Sequence, residues 1–235
     1  LWKRPKNIAV VGTRDISPYG KEWCAKTVEG LADTQQKPLI VSGLALGTDI
    51  CAHRTAIERG LPTIAVMPTG PDAVYPHRHL AFADHLSSTP GCALITDYPP
   101  GTSPLPVNFL RRNRIIAGLS HATVLIESKI KGGGMMTARL AFSYDRDVFA
   151  LPGRVDDIRS QGCNRMIAEK IAEPLVSVEG FIKAVGLDRT GAGPGKVDTL
   201  TMMGTFYSGS LGKDTIREMA ALLECIRKNR GATVE

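Results

Sequence analysis

The sequence lacks long apolar runs, paired cysteines and a recognisable export signal. Its apolar stretches are at most five residues long, whereas a helix that spans a bilayer needs about 20 residues. The five cysteines are odd in number, scattered and never arranged as Cys-x-x-Cys, which argues against a disulfide framework and a zinc site. No charged-then-apolar leader is present. These absences predict a cytoplasmic protein that has no association with membranes.

Motifs of common catalytic sites are also missing. The sequence has no nucleophile elbow, no His-Glu-x-x-His and no Gly-Lys-Ser/Thr run. Asp49 and Glu127 are isolated acids in their loops, and the five histidines show no metal-ligand spacing. We interpret His77 and His79, which flank Arg78, as surface residues and His53 as a structural residue. We therefore expect a binding protein with no catalytic centre, no metal and no cofactor.

The charge balance is mildly basic. Lysine and arginine number 29 against 23 aspartates and glutamates, for a net charge of +6, while apolar residues make up 43% and charged residues 22%. That composition is typical of a globular protein. The basic excess favours a polyanionic partner without proving one.

Short apolar runs alternate with amphipathic segments, and this alternation predicts an α/β fold. Runs that are continuously apolar indicate strands buried on both faces of a parallel sheet. Helices between such strands indicate an extended Rossmann-like, doubly wound and mostly parallel sheet. The predicted strands are Asn7–Thr13, Pro38–Ser42, Thr63–Thr69, Ala93–Asp97, Thr123–Glu127 and Val148–Leu151. The predicted helices are Tyr19–Asp33, Thr48–Arg59, Pro76–Leu86, Val107–Leu119, Met135–Tyr144 and Asn164–Lys170.

The composition and the hydrophobic pattern of the sequence change near residue 187. We predict a Rossmann-like domain over residues 1–187 and a Gly/Pro-rich linker over 188–213. Residues 214–235 resume an amphipathic pattern that predicts a short helical tail.

Three glycine-bearing loops follow predicted strands: Gly12–Arg14, Ser42–Asp49 and Gly132–Gly134. Ligands of such sheets bind at the carboxyl ends of the strands, so we expect these loops to meet. Glycine lets backbone N–H groups face a ligand, and helix N-termini attract anions. Asp49 is expected to cap its helix. The loops therefore predict an anion-binding pocket that includes Gly133 and Thr137.

The block Phe109–Ile116 carries the strongest chemical signal. Arg111, Arg112 and Arg114 fall within four positions, and no acidic residue lies between Asp97 and Glu127 to pair with them. Helical spacing places Arg111 and Arg114 on one face. Guanidinium groups bind phosphates bidentately, and Phe109 offers a stacking surface. We expect Arg14 and Arg114 to lie on opposite walls of one phosphate pocket.

Two other classes of function stay open on the residues alone. A nucleoside-monophosphate phosphoribohydrolase uses a glycine-rich loop and a nearby acid on a similar sheet, and Lys131–Thr137 matches its Pro-Gly-Gly-x-Gly-Thr run loosely. A nucleotide-sensing module would bind mononucleotides tightly and long strands no better.

Eight motifs between about residues 7 and 185 occur in the order of one known family. They are Gly12-Thr13-Arg14 with Tyr19-Gly20; Ser42–Asp49 with Ala52-His53; Thr63–Val66 with Gly70, Asp72 and Tyr75-Pro76; Tyr98–Gly101 with Pro104; Phe109–Ile116; Gly133-Gly134 with Thr137-Ala138; Phe149–Gly153; and Gly162-Cys163-Asn164. Together they resemble the DprA/Smf family. The resemblance implies an extended Rossmann fold that binds single-stranded DNA, passes it to the RecA recombinase, forms homodimers and acts in natural transformation.

The resemblance also implies site residues. The pocket it implies comprises Gly12, Thr13, Arg14, Ser42, Gly43, Arg112, Asn113 and Arg114, to which the residue chemistry adds Phe109, Arg111, Gly133 and Thr137. Thr48-Asp49 stands where the family usually has Ile-Asp, and Gly132–Met136 departs from its Ser-Gly-Ser/Ala pattern. A C-terminal winged helix is common in the family, and residues 214–235 match the position of its opening helix.

Overall fold

The computed structural model describes residues 6–188, which form a sheet covered by helices on both faces. The strands are β1 (Asn7–Val11), β2 (Leu39–Ser42), β3 (Thr63–Val66), β4 (Ala93–Ile95), β5 (Ala122–Leu125), β6 (Asp147–Ala150) and β7 (Glu173–Pro174). The helices are α1 (Pro18–Ala32), α2 (Thr48–Glu58), α3 (Leu80–Ser88), α4 (Pro106–Leu119), α5 (Gly133–Ser143), α6 (Gln161–Ala168) and α7 (Val178–Ala184). The predicted linker and helical tail lie outside the described residues.

Every strand pairing in this sheet is parallel, in the order β4-β3-β2-β1-β5-β6-β7. The chain first builds outward from β1 to β4 and then returns to add β5 on the other side of β1. The order therefore reverses between β1 and β5, which creates a crevice at their carboxyl ends. The prediction of a doubly wound, Rossmann-like sheet is confirmed.

Alternate side chains of the central strands point to opposite faces of the sheet, and both faces are buried. Ile8 and Val10 of β1 join one apolar cluster with residues from α1, α2 and α7. Ala9 and Val11 join a second cluster with residues from α4, α5 and α6. This two-sided burial explains why the strands read as continuous apolar runs.

Three details differ from the sequence expectations. The third helix begins at Leu80 because His77–His79 form a separate 3-10 turn. His79 is buried, with its Nδ1 2.9 Å from the Leu44 carbonyl oxygen, so its interpretation as a surface residue is wrong. The short β7 and α7 were not predicted. Pro174 fits β7 because this strand lies at the edge of the sheet.

Within residues 6–188, no helix is both long and apolar enough to cross a membrane. The same residues contain no cluster of three or more histidine, cysteine or acidic side chains that could hold a metal ion.

Candidate functional site

A cavity of about 610 Å³ opens where the strand order reverses. Its lining includes Gly12 and Arg14 after β1, Ala45 and Asp49 after β2, and the Gly132–Gly134 segment that starts α5. Residues of α4 complete the wall. The three glycine-bearing loops therefore meet, as the strand pattern predicts.

The Gly12–Arg14 loop is held by the first residue of α2. The Thr13 carbonyl accepts hydrogen bonds from the Thr48 backbone N–H at 3.1 Å and from the Thr48 hydroxyl at 3.2 Å. A Cβ atom at Gly12 would overlap the Thr48 hydroxyl and lie 3.0 Å from the Glu127 carbonyl oxygen. Glycine is needed at this position because β1, α2 and the end of β5 approach one another so closely.

Two residues of the Ser42–Asp49 loop serve to hold the loop itself. The Ser42 hydroxyl is buried and donates to the Val10 carbonyl at 2.6 Å. Asp49 accepts from the backbone N–H groups of Gly43 and Ala45 at 3.2 and 3.3 Å. Ser42 therefore does not line the cavity, contrary to the sequence expectation. Asp49 stabilises the loop that leads into α2, but the expectation that it caps this helix is wrong, because the N-cap is Gly47 and no side chain makes the cap hydrogen bond.

Arg112 forms part of the cavity floor. Its side chain is buried, and one guanidinium nitrogen donates to the Val66 carbonyl at 2.7 Å. Burial lowers the pKa of Arg112 to about 10, although the nearby Asp49 carboxylate opposes this shift. Burial raises the pKa of Asp49, and Arg112 opposes that change in turn. The Arg112 Nε is buried without a hydrogen-bond partner, so this guanidinium keeps an unused donor.

Gly43 makes room for Arg112. A Cβ atom at Gly43 would overlap the Arg112 guanidinium. Glycine is therefore required at position 43, because the backbone after β2 approaches the buried Arg112 side chain too closely for a Cβ atom. It lies on a small cleft beside the main cavity.

An aromatic wall stands next to the exposed Arg14. The Arg14 guanidinium lies 5.0 Å from the centre of the Phe109 ring, within cation–π range. The Tyr75 and Phe109 rings meet edge to face, with centres 5.3 Å apart. Tyr75 is 39% exposed. Tyr75 belongs to one of the sequence motifs, but the sequence does not indicate its role. Only the fold brings Tyr75 next to Phe109 of α4.

The remaining predicted residues divide into two groups. Asn113, Gly133 and Thr137 line the cavity. Arg111 and Arg114 do not line it, and Arg114 pairs with Asp97 in the segment after β4. The expectation that Arg14 and Arg114 occupy opposite walls is therefore wrong. The expectation assumed that Arg114 has no acidic partner, because none lies within α4. Asp97 comes close to Arg114 only in the folded chain.

Two lysines that sequence reasoning missed stand at the cavity rim. Lys129 and Lys131 are exposed in the loop between β5 and α5, and both belong to the lining. Both lysines come just before the glycine run Gly132–Gly134 in the sequence. This position could have indicated that they belong to the predicted anion-binding pocket. They add two exposed cations beside the N-terminus of α5, which itself attracts anions.

The chemistry of the lining is that of anion binding. It holds four cationic side chains, namely Arg14, Arg112, Lys129 and Lys131, with Asp49 as its single carboxylate. Glu127 lies outside the lining, where it accepts from the Ser17 backbone N–H at 2.9 Å and the Ser17 hydroxyl at 2.5 Å. None of the residues that line this cavity is a histidine or a cysteine.

Fold and site together define a Rossmann-like protein with a cationic, aromatic-edged cavity at its switch point. The comparison with protein families then makes the assignment more specific. The chain belongs to the family described as DNA recombination-mediator protein A, whose model matches residues 1–186. The resemblance to DprA/Smf proteins is confirmed.

Individual relatives support this membership. The DNA processing protein DprA of Streptococcus pneumoniae is 40% identical over 169 residues, which are 72% of this chain and 58% of the relative. An X-ray structure of DprA from Streptococcus pneumoniae has a TM-score of 0.71 and 37% identity, covering 80% of this chain and 64% of that one. This chain therefore spans little more than half of that curated relative.

A second structure concerns a DprA that binds single strands. It describes the single-stranded DNA binding mode of DNA processing protein A from Helicobacter pylori. Its TM-score is 0.71 at 30% identity, and the match covers 78% of this chain and 81% of that one.

Proposed function

We propose that the protein binds single-stranded DNA without sequence preference and acts as a recombination mediator. The observation that carries this proposal is the cavity at the switch point, whose lining combines four cationic side chains with the paired rings of Tyr75 and Phe109. Family membership and the Helicobacter pylori neighbour agree with it.

The lining favours a single strand over a duplex. Arg14, Lys129 and Lys131 are exposed cations that can follow a phosphate backbone. Phe109 and Tyr75 stand beside them as flat surfaces, on which unpaired bases stack by about 1–3 kcal/mol each. In a duplex the faces of the bases are already stacked and cannot reach these rings.

The same lining argues against sequence-specific readout. Cationic side chains and the first amides of α5 contact phosphates, which carry no base identity. Stacking on Phe109 tolerates any base. Homopolymers of equal length should therefore bind within roughly tenfold of one another.

Binding, and not catalysis, is the activity we assign to this cavity. Asp49 is held by two backbone N–H groups and lies beside Arg112. Glu127 is buried against Ser17 and lies outside the lining. Neither carboxylate stands free as a general base, so we expect no release of base from nucleoside monophosphates. Measurable release would favour the phosphoribohydrolase alternative.

The proposal extends to the setting in which the strand is used. We propose that a cytoplasmic homodimer hands the bound strand to the RecA recombinase during natural transformation, as the resemblance to the DprA/Smf family implies. Stimulation of RecA-dependent strand exchange by the purified protein tests the transfer of the strand to RecA. Sedimentation velocity at micromolar concentration tests whether the protein forms a homodimer.

Competition binding at fixed salt tests the core of the proposal. A labelled 30-nucleotide single strand is challenged with unlabelled single-stranded and double-stranded competitors. We expect the single strand to compete much better, and equal competition would contradict the proposal.

The Arg14→Ala variant locates binding at the cavity. Because a single strand releases about 0.7 counterion per neutralised phosphate, this variant should reduce the slope of log K against log salt by about 0.7. Arg146→Ala is the matched control, since Arg146 is exposed at the opposite, amino-terminal edge of the sheet. An equal loss in both variants would mean that binding reflects overall charge and not this cavity.

A further inference from the structure

Two cysteines reach toward each other across the packed helices α1 and α2. The Cys24 Sγ of α1 lies 3.7 Å from the Thr48 carbonyl oxygen of α2, and the Cys51 Sγ of α2 lies 3.8 Å from the Lys21 carbonyl oxygen of α1. Each thiol also shifts the pKa of the other. The two sulfur atoms therefore share one small space between the helices.

The two thiols differ in exposure. Cys24 is fully buried, and Cys51 is half-buried. A reagent from solvent can thus reach Cys51 first, while Cys24 lies behind it. This order of access is the one that a reactive thiol and a resolving thiol require.

The environment also makes Cys51 the more nucleophilic partner. Its hydrogen bond with the Cys24 thiol lowers the pKa of Cys51 to about 7, and the charge of Lys21 adds to this effect while burial opposes it. The same hydrogen bond and burial raise the pKa of Cys24. The lowered pKa increases the thiolate fraction of Cys51 at neutral pH, and the thiolate is the reactive form.

We propose that Cys51 is a modification site for hydrogen peroxide and that Cys24 resolves the product as an intramolecular disulfide. The Cys51 thiolate attacks one peroxide oxygen, the O–O bond breaks, and the released hydroxide takes up a proton to become water. Cys51 is thereby oxidised to a sulfenic acid. The Cys24 sulfur then attacks the Cys51 sulfur, the S–O bond breaks, and the leaving hydroxide takes the Cys24 proton as a second water.

Peptide mapping tests the disulfide. The full chain is treated with equimolar hydrogen peroxide at pH 7, blocked with N-ethylmaleimide and digested with trypsin, which separates the two cysteines by cleaving after Lys26. We expect a linked peptide pair that contains Cys24 and Cys51 and separates on reduction. An unmodified Cys51 after the peroxide is consumed would overturn the proposal, and so would a disulfide between other cysteines.

Variants assign the roles. Cys51→Ser should abolish peroxide-dependent loss of the Cys24 thiol. Cys92→Ser, at the other half-buried cysteine among residues 6–188, should leave the linked pair intact. Cys24→Ala should slow the oxidation of Cys51, because it removes the hydrogen bond that lowers the pKa of Cys51, but the sulfenic acid that does form should persist and be trapped by dimedone. If the buried Cys24→Ala change impairs folding, the comparison of wild type with Cys51→Ser still decides the outcome.

Alkylation rates give an independent check on the same site. Burial raises the pKa of Cys92, so its thiolate fraction at pH 7 is far smaller than that of Cys51. Because intrinsic nucleophilicity falls as thiol pKa falls, the net advantage of Cys51 toward iodoacetamide should be at least about threefold. A Cys92 that is labelled as fast as Cys51 would show that the cysteine pair gives no activation.

Discussion

Replacing Gly43 by alanine tests whether Arg112 is fixed as the structure shows. The new Cβ would overlap the Arg112 guanidinium. The far end of an arginine usually moves aside at little cost, but this one is 4% exposed and donates to the Val66 carbonyl. We expect the guanidinium to give up that bond and swing into the cavity that it lines.

The expected cost follows from what Arg112 loses. Swinging into the cavity relieves the overlap, so the full overpacking cost of about 1–3 kcal/mol is avoided. The lost hydrogen bond from a charged donor to Val66 is worth about 1.5–3 kcal/mol. Gly43→Ala should therefore lower the free energy of unfolding by about 2 kcal/mol, which shifts the urea midpoint by roughly 1 M.

A matched glycine provides the control. A Cβ at Gly133, the first residue of α5, would meet no atom within 4 Å. Gly133→Ala should leave stability unchanged or raise it by at most about 1 kcal/mol, because alanine loses less backbone entropy in a helix. Urea unfolding followed by tryptophan fluorescence measures both. If Gly43→Ala stays within about 0.5 kcal/mol of wild type, Arg112 does not depend on Gly43 and the reasoning fails.

Three further predictions concern charge in and around the site. Arg112→Ala should destabilise the fold by about 3 kcal/mol or more, because it leaves Asp49 buried without its cationic neighbour; a variant with wild-type stability in urea would contradict this. Asp97→Ala should cost less than about 1 kcal/mol, because its pair with Arg114 is exposed, and a larger loss in the same assay would show that this pair holds α4 in place. Burial lowers the pKa of His53 to about 3, well below its unfolded value of about 6.5. Between those pH values the unfolded chain binds a proton at His53 that the folded chain does not bind. The free energy of unfolding should therefore fall by about 1.4 kcal/mol per pH unit as the pH drops below about 6.5. Urea unfolding at a series of pH values should show that His53→Asn loses this dependence.

Much of the fold could be predicted because its signal is local. Strands β1, β2, β3 and β5 are buried on both faces, so each reads as an unbroken apolar run bounded by glycine or polar residues. The helices between them keep an amphipathic period. By contrast, β7 has two residues and α7 has seven, which is too short for either period to stand out.

The site could be predicted only in part, because its decisive contacts join distant segments. Strand-end glycines indicated the cavity, and Gly12 and Gly133 line it. Helical spacing places Arg111 and Arg114 on one face of α4, but it does not show which face of this helix points toward the cavity. The partners that decide this are Val66 for Arg112 and Asp97 for Arg114. Neither partner has a signature within its own segment.

The arginines therefore have different tasks, which their count in the sequence does not show. Arg114 pairs with Asp97 at the surface. Arg112 is fixed below the cavity, and with a pKa of about 10 it stays charged at neutral pH. A buried cation that is held in place contributes a constant positive potential, because little solvent screens it. Arg14 is exposed and rests against Phe109, so it can move onto a phosphate at little cost. Loss of Arg112 should thus impair folding and binding together, whereas loss of Arg14 should impair binding alone.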